Sequence, residues 1–226
     1  MVKIRPFKAY LANQDNCDKI ISPAYDTLNS DEARAMASDN PLSFLHVNKP
    51  EIDLPEDTDP YSDDVYNKGR ENLLKFVKEG ILVQDSEETM YIYEQTMGEH
   101  SQQGLIGLAS IQDYEEKRIK RHEYTLAKKE KDRTMLTDIQ SANVGPVFLT
   151  FRENQEAIKD RMKMITDSEA PWGDVTCDDG VRHILWRCSQ EDSEFFQEQF
   201  EEINSLYVAD GHHRTAAAYN VGQKRR

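Results

Sequence analysis

The run Asp210-Gly211-His212-His213-Arg214-Thr215 places a carboxylate, a glycine, two imidazoles, a guanidinium and a hydroxyl in six consecutive residues. The apolar stretch Leu206-Tyr207-Val208-Ala209 precedes it and the alanine-rich Ala216-Ala217-Ala218-Tyr219 follows, an order that reads as strand, tight turn and helix start. Glycine lets the backbone approach a ligand, and the N–H groups of a first helical turn point outward along the axis, so the cluster suits an anion such as phosphate. Cationic side chains in a first turn oppose the helix macrodipole unless an anion offsets them. The bland alternative is a plain Asp-Gly turn followed by a solvated helix start.

A second chemistry-bearing region spans residues 115–133, where eight Lys or Arg stand against five Asp or Glu, a local +3 in a chain whose formal net charge is -14. Within it, Arg121-His122-Glu123 joins a permanent cation, a group titrating near neutrality and a carboxylate. Glu123 needs only a modest upward shift to act as a base, and Arg121 can grip a carboxylate or phosphate through two N–H groups. Lys128 to Arg133 reads either as an ordinary exposed helical face of alternating charge or as a wall lining an anion site. His46, beside Phe44 and Leu45, reads as a satisfied core or edge-strand histidine, and His100 and His183 as structural or exposed. The histidines show no metal-ligand spacing that would favour a zinc centre, although a water-rich magnesium site leaves no such mark. Cys17, Cys177 and Cys188 are odd in number and far apart, which suggests neither a disulfide framework nor a zinc site.

Composition narrows the partners. A chain of 226 residues that is 38% hydrophobic and 31% charged can bury a sizeable core. The net charge of -14 argues against a generic nucleic-acid binder, which needs a basic face to displace counterions. No apolar run reaches the roughly 18 residues of a membrane span, and the opening Met-Val-Lys-Ile-Arg-Pro-Phe lacks a signal peptide's apolar core. A soluble, cytoplasmic protein with no membrane or nucleic-acid partner is the expectation.

The elements that must position these residues follow from pattern. Residues 1–28 read as irregular, and Ser30 as the cap of a short alanine-rich helix ending before Pro41. Phe44-Leu45-His46-Val47 has the look of a strand, and Pro50 to Asp64, with seven acids and no base, that of a solvated loop. Asp63 to Glu79 has helical spacing, with Val65, Tyr66, Leu73, Leu74, Phe76 and Val77 as its apolar side and Gly80 as its C-cap. Thr89–Gln95 and Gly104–Tyr114 pair as a hairpin broken at Gly98-Glu99-His100. A helix through Ile139, a turn at Ala142 to Pro146, a strand at Val147–Phe151 and an amphipathic helix from Glu153 to Met164 come next. Val175–Cys177 and Val181–Arg187 flank Asp178-Asp179-Gly180 as a second hairpin, and an acidic helix fills Gln190 to Ile203. Because no Gly/Ser/Pro linker divides the chain, 1–226 reads as a single α+β domain, a mixed or antiparallel sheet with packed helices.

The segments Ile4-Arg5-Pro6-Phe7-Lys8-Ala9, Pro23 to Asp26, Asn40 to Val47, Glu51 to Pro55, Arg121-His122-Glu123-Tyr124-Thr125 and Ala209 to Arg214, in that order, resemble the bacterial and archaeal family called domain of unknown function 1015. The likeness spans nearly the whole chain. Family members are typically longer, so the chain is expected to be the N-terminal portion of one or an unusually short member. The Asp-Gly-His-His-Arg piece is also similar to the strand–glycine–helix turn of the ParB and sulfiredoxin superfamily, which includes free-serine kinases. That resemblance implies that Gly211 and the N–H groups after it approach the phosphates of ATP or ADP, with Thr215 in the same turn. It further implies that Arg214 and one of His212 or His213 neutralise them, and that Asp210 positions Mg2+ or the acceptor hydroxyl. Arg121, His122 and Arg133 would line the site and Glu123 would be the base, with Asp26 and Glu51 as competitors whose plainer readings are a turn residue and an exposed loop acid. The implied activity is nucleotide-dependent phosphoryl transfer to a small hydroxylated metabolite, free L-serine foremost. The alternative is a ParB-like nucleotide-binding regulatory module without kinase activity.

Overall fold

The computed structural model describes residues 1–152 and 155–226 and is α+β, with largely antiparallel sheets and one mixed sheet. The chain divides into two units, each assembled from three segments: Met1–Asp18, Gln84–His122 and Phe148–Asp210 in the first, and Lys19–Val83, Glu123–Val147 and Gly211–Arg226 in the second. Among the described residues no helix is long and apolar enough to cross a membrane.

The first unit holds the sheets. Four antiparallel strands run in the order His100–Ile106, Tyr91–Met97, Arg182–Arg187, Gly173–Thr176. Both expected hairpins are present, with Gly98 and Gly180 at their turns at φ of 60° and 81°, but the second strand of the first ends at Ile106, and Ile111–Glu115, expected to continue it, is helical. The first hairpin closes immediately, Met97 pairing with His100, so its second strand starts four residues earlier than the Leu/Ile pattern suggests. The polar His100-Ser101-Gln102-Gln103 stretch escapes a hydrophobicity criterion because it forms an exposed edge. Ile92, Ile184 and Trp186 bury one face of this sheet in a core shared with Ile158, Met162 and Ile165 of the helix Glu156–Ser168 and Phe196 and Phe200 of the helix Gln190–Glu201. The expected start of the former helix at Glu153 lies outside the described residues. Ser189 and Asp192 form a reciprocal capping box at the start of the latter. A separate three-stranded sheet sets Leu206–Asp210 in the middle, parallel to Ile119–Lys120 and antiparallel to Phe148–Thr150. The opening segment, expected to be irregular, contributes the strand Ile4–Arg5, paired with Leu108–Ala109.

The second unit is helical. Asp63–Lys78 buries Val65, Tyr66, Gly69, Asn72, Leu73 and Phe76. It ends as expected at Gly80, whose φ of 69° lets Ile81 N–H reach Phe76 C=O at 2.9 Å and Gly80 N–H reach Val77 C=O at 3.2 Å. Leu74, expected on the apolar side, is 55% exposed. Ala127–Gln140 packs against it and against His212–Lys224, with Leu136, Ala216, Ala217 and Val221 buried. Gly69 permits the first of these approaches: a Cβ there would lie 2.9 Å from Gln140 Nε2, 3.0 Å from Pro50 Cγ and 3.1 Å from Leu136 Cδ1. Gln140 in turn donates to Val47 C=O at 3.0 Å.

Three sequence expectations change here. Phe44-Leu45-His46-Val47 is not a strand; Leu45–Asn48 is a single helical turn between Pro41 and Pro50. Four apolar residues are too few to show a period, and the Ser43 hydroxyl accepts from Leu45 N–H at 3.3 Å to start the turn. The cap of Ser30–Ala37 is Asn29, whose side chain accepts from Glu32 N–H while Glu32 accepts from Asn29 N–H. The acidic stretch begins with a 3-10 helix, Pro50–Asp53, rather than a solvated loop. Its acids have partners: Glu51 pairs with Lys49 at 3.1 Å and accepts from Ser30 at 3.0 Å, and Asp53 meets His46 at 2.8 Å and Asn72 at 2.6 Å.

Candidate functional site

Strand, glycine and helix follow one another as the residue order suggests: Leu206–Asp210, Gly211, His212–Lys224. Gly211 has φ 89° and ψ 35°, a left-handed conformation that side-chain-bearing residues rarely adopt, and the helix has no side-chain cap and no acid in its first turn. Its first ladder bond runs from Thr215 N–H to Gly211 C=O at 2.8 Å, so the preceding N–H groups lie ahead of the i→i−4 pattern. The helices Ser30–Ala37, Asp63–Lys78 and Gln190–Glu201 all place acids at this end. Here the positive end of the dipole coincides with His212, His213 and Arg214.

Arg214 folds back over the turn. A Cβ on Gly211 would lie 3.2 Å from both Nε and Nη2 of Arg214 and 3.2 Å from Val147 Cγ1. A Cβ on Gly145, itself at φ 80°, would lie 3.4 Å from Arg214 Nη1. The guanidinium therefore rests between two left-handed glycines and donates to the Pro146 carbonyl. Two bare backbone positions make room for one cation directly over the helix start.

The two histidines diverge. His212 is buried, with Nδ1 3.1 Å from a carboxylate oxygen of Glu123, whose side chain is 55% exposed. His213 accepts from Leu126 N–H through Nε2 at 3.1 Å. Leu126 is the N-cap residue of Ala127–Gln140 and supplies no side-chain cap of its own. This ring nitrogen is thus occupied with helix capping. Of the two histidines left open by sequence, His212 is the one joined to an acid–base partner. Thr215 donates its hydroxyl to Gly211 C=O at 3.0 Å and so stabilises the turn from within.

Arg133 does not stand on an open wall. Its guanidinium is mostly buried, 2.7 to 2.8 Å from Asp132 Oδ2, with a further bond to Asn48 C=O at 3.3 Å. Asp132 is buried and also accepts from Tyr66 hydroxyl at 3.1 Å. Arg133 Cζ lies 4.0 Å from the centroid of the Tyr25 ring, a cation–π contact. Burial pushes the Tyr25 phenol up from its ordinary value, while the Arg133 and Arg214 guanidiniums pull it back. Tyr25 is thus a shared neighbour of both arginines, whereas Asp26 beside it is exposed. An aromatic residue in a Pro-containing turn carries no spacing signal; only the fold brings it to Arg133.

Asp210, Arg121 and His122 belong to segments of the first unit. Asp210 is exposed at the end of its strand, one peptide bond from Gly211, and pairs in register with Phe148 across a bulge. Arg121 and His122 follow the strand Ile119–Lys120, with Arg121 Nη1 3.5 Å from Tyr114 Oη. Glu51 is displaced as a base candidate by its bonds to Lys49 and Ser30; its side chain is 13% exposed, not the exposed loop acid its context suggests.

Fold and turn together define an α+β protein in which a left-handed glycine opens a helix beneath an arginine and beside a His–Glu pair. The chain belongs to the family described as protein of unknown function (DUF1015), which it matches over residues 4–226. No curated protein and no solved structure matches it.

Proposed function

We propose that the Gly211 turn binds the phosphates of ATP or ADP and that the chain transfers a phosphoryl group to a small hydroxylated metabolite, free L-serine first among them. The observation that supports this best is the Gly211–Arg214 arrangement. A side chain at position 211 would occupy the space beneath the guanidinium, which leaves bare backbone, a dipole's positive end and a fixed cation converging on one point. That donor set fits a phosphate. In the reaction the acceptor hydroxyl oxygen forms a bond to the terminal phosphorus, the bond to the departing phosphate oxygen breaks, and the hydroxyl proton passes to a carboxylate. Glu123 is the candidate base, held through one oxygen by His212. Asp210 offers the kind of oxygen ligand that Mg2+ prefers, and the ion when bound would neutralise charge on the phosphates.

Calorimetric titration with ATP or ADP in the presence of Mg2+, followed by an assay for phosphoserine, tests this reading. Arg214→Ala should weaken nucleotide binding about tenfold or more, as befits loss of a charge-assisted contact. If neither nucleotide binds, or if both bind but neither serine nor other hydroxylated metabolites are phosphorylated, phosphoryl transfer is lost as the function; the second outcome favours a nucleotide-responsive regulatory module.

A further inference from the structure

Between His100 and Gln112 there is no Asp, Glu, Lys or Arg, in a chain that is 31% charged. This stretch includes His100–Ile106, the outer strand of the four-stranded sheet, and residues 100–104 are exposed. Edge strands are ordinarily protected by a proline, a lysine, a bulge or a covering segment. This strand contains neither proline nor lysine, and its register with Tyr91–Met97 runs unbroken from Met97↔His100 to Tyr91↔Ile106. A Cβ at Gly104 would meet nothing within 4 Å.

The tight hairpin fixes which backbone groups face outward. Met97 and His100 flank a two-residue turn with Gly98 at its first position, so they form a hydrogen-bonded pair, as do 95 with 102, 93 with 104 and 91 with 106. The N–H and C=O groups of Ser101, Gln103 and Leu105 consequently project away from the sheet.

We infer that this edge pairs with the same edge of a second copy of this chain, antiparallel about a two-fold axis through Gln103. Charge selects the partner: every other copy also carries -14, so close approach is least opposed where neither copy presents charged side chains along the joining strand. Self-complementarity sets the register. Centring on Gln103 puts Gln103 opposite its own counterpart and Ser101 opposite Leu105, so outward groups meet outward groups.

Sedimentation velocity across a range of protein concentrations reads the outcome. The chain should pass from 26.2 kDa towards twice that mass as concentration rises. Gln103→Pro removes an outward N–H that the chain's own ladder does not use, and so should hold the mass at 26.2 kDa with an unchanged circular dichroism spectrum. Gln103→Cys, oxidised mildly, should give a disulfide-linked dimer, whereas Gln102→Cys, out of register with its own counterpart by two residues, should not. This second pair keeps the test decisive if the proline variant misfolds. A wild-type chain that stays at 26.2 kDa throughout, a folded proline variant that still dimerises, or equal cross-linking at 102 and 103 overturns the inference.

Discussion

Replacing Gly211 by alanine separates backbone strain from the arginine contact that the proposed phosphate site depends on. An alanine held in the left-handed region costs about 1–2 kcal/mol. The narrower unfolded ensemble of alanine returns about 0.4–1 kcal/mol of that. The new Cβ then meets Nε and Nη2 of Arg214 and Cγ1 of Val147 at 3.2 Å, so each must yield by a few tenths of an ångström. Arg214 cannot swing freely, because it also lies against Gly145 and donates to Pro146 C=O. Displacing it adds the loss of one hydrogen bond, about 0.5–1.5 kcal/mol. The expected total is about 0.5–3 kcal/mol of destabilisation. Gly80→Ala supplies the control: φ there is 69°, in the same unit, and an added Cβ meets nothing within 4 Å. Urea denaturation followed by far-ultraviolet circular dichroism should therefore show the larger loss for Gly211→Ala, by roughly the value of that hydrogen bond. Calorimetry should show weakened nucleotide binding for Gly211→Ala alone. Equal losses in the two variants, or intact nucleotide affinity in Gly211→Ala, would refute the reasoning that the guanidinium is seated on bare backbone for a ligand.

Two further outcomes follow from the geometry. His213→Ala removes the acceptor that Leu126 N–H uses at the start of Ala127–Gln140, so it should cost about 1 kcal/mol in urea denaturation, and His213→Gln should recover part of it. The Asp53 hydrogen bond, together with that of Asn40 C=O to the other ring nitrogen, outweighs burial and raises the His46 pKa, since both acceptors require N–H groups. Burial alone would raise Asp53, but the bonds from His46 and Asn72 prevail and hold it below its ordinary value. Stability from His46 is present in full below its unfolded pKa of about 6.5 and fades as pH rises through the raised folded value, while that from Asp53 fades as pH falls through its lowered one. Asp53→Asn should lower the His46 titration midpoint measured by NMR; an unchanged midpoint would show that the carboxylate does not set it.

Sequence periodicity is a good guide where an element is long or punctuated. Asp63–Lys78 shows four turns of apolar spacing and a terminal glycine, and Gly98 and Gly180 mark both hairpins of the large sheet. It fails where four residues must decide a period, as at Phe44 to Val47, and where a strand is polar because it lies on an edge, as at His100 to Gln103. The candidate site divides along the same line. The strand–glycine–helix order was readable because it is local. What Arg133 and His213 do was not, because Asn48, Tyr25 and Leu126, which occupy them, are 85, 108 and 87 residues away in the chain. Residue type announces that a cation or an imidazole is present; only tertiary structure says whether it is already engaged.

The three-segment construction of the helical unit constrains how it comes into being. Leu136 and its neighbours on Ala127–Gln140 find their second packing partner, Ala216, Ala217 and Val221, only after some seventy intervening residues have been synthesised. The sheet unit likewise waits for Leu206 and Val208 to fill the middle of its mixed sheet. Closing such long loops precedes the contacts that reward it, which favours slow folding and exposes apolar surface in the interval. During translation the helix Ala127–Gln140 leaves the ribosome with an uncovered face, and the peptide that covers it begins at the glycine turn. The glycine turn thus opens the helix that completes this packing, so the geometry of the turn and the stability of the helical unit are acquired together.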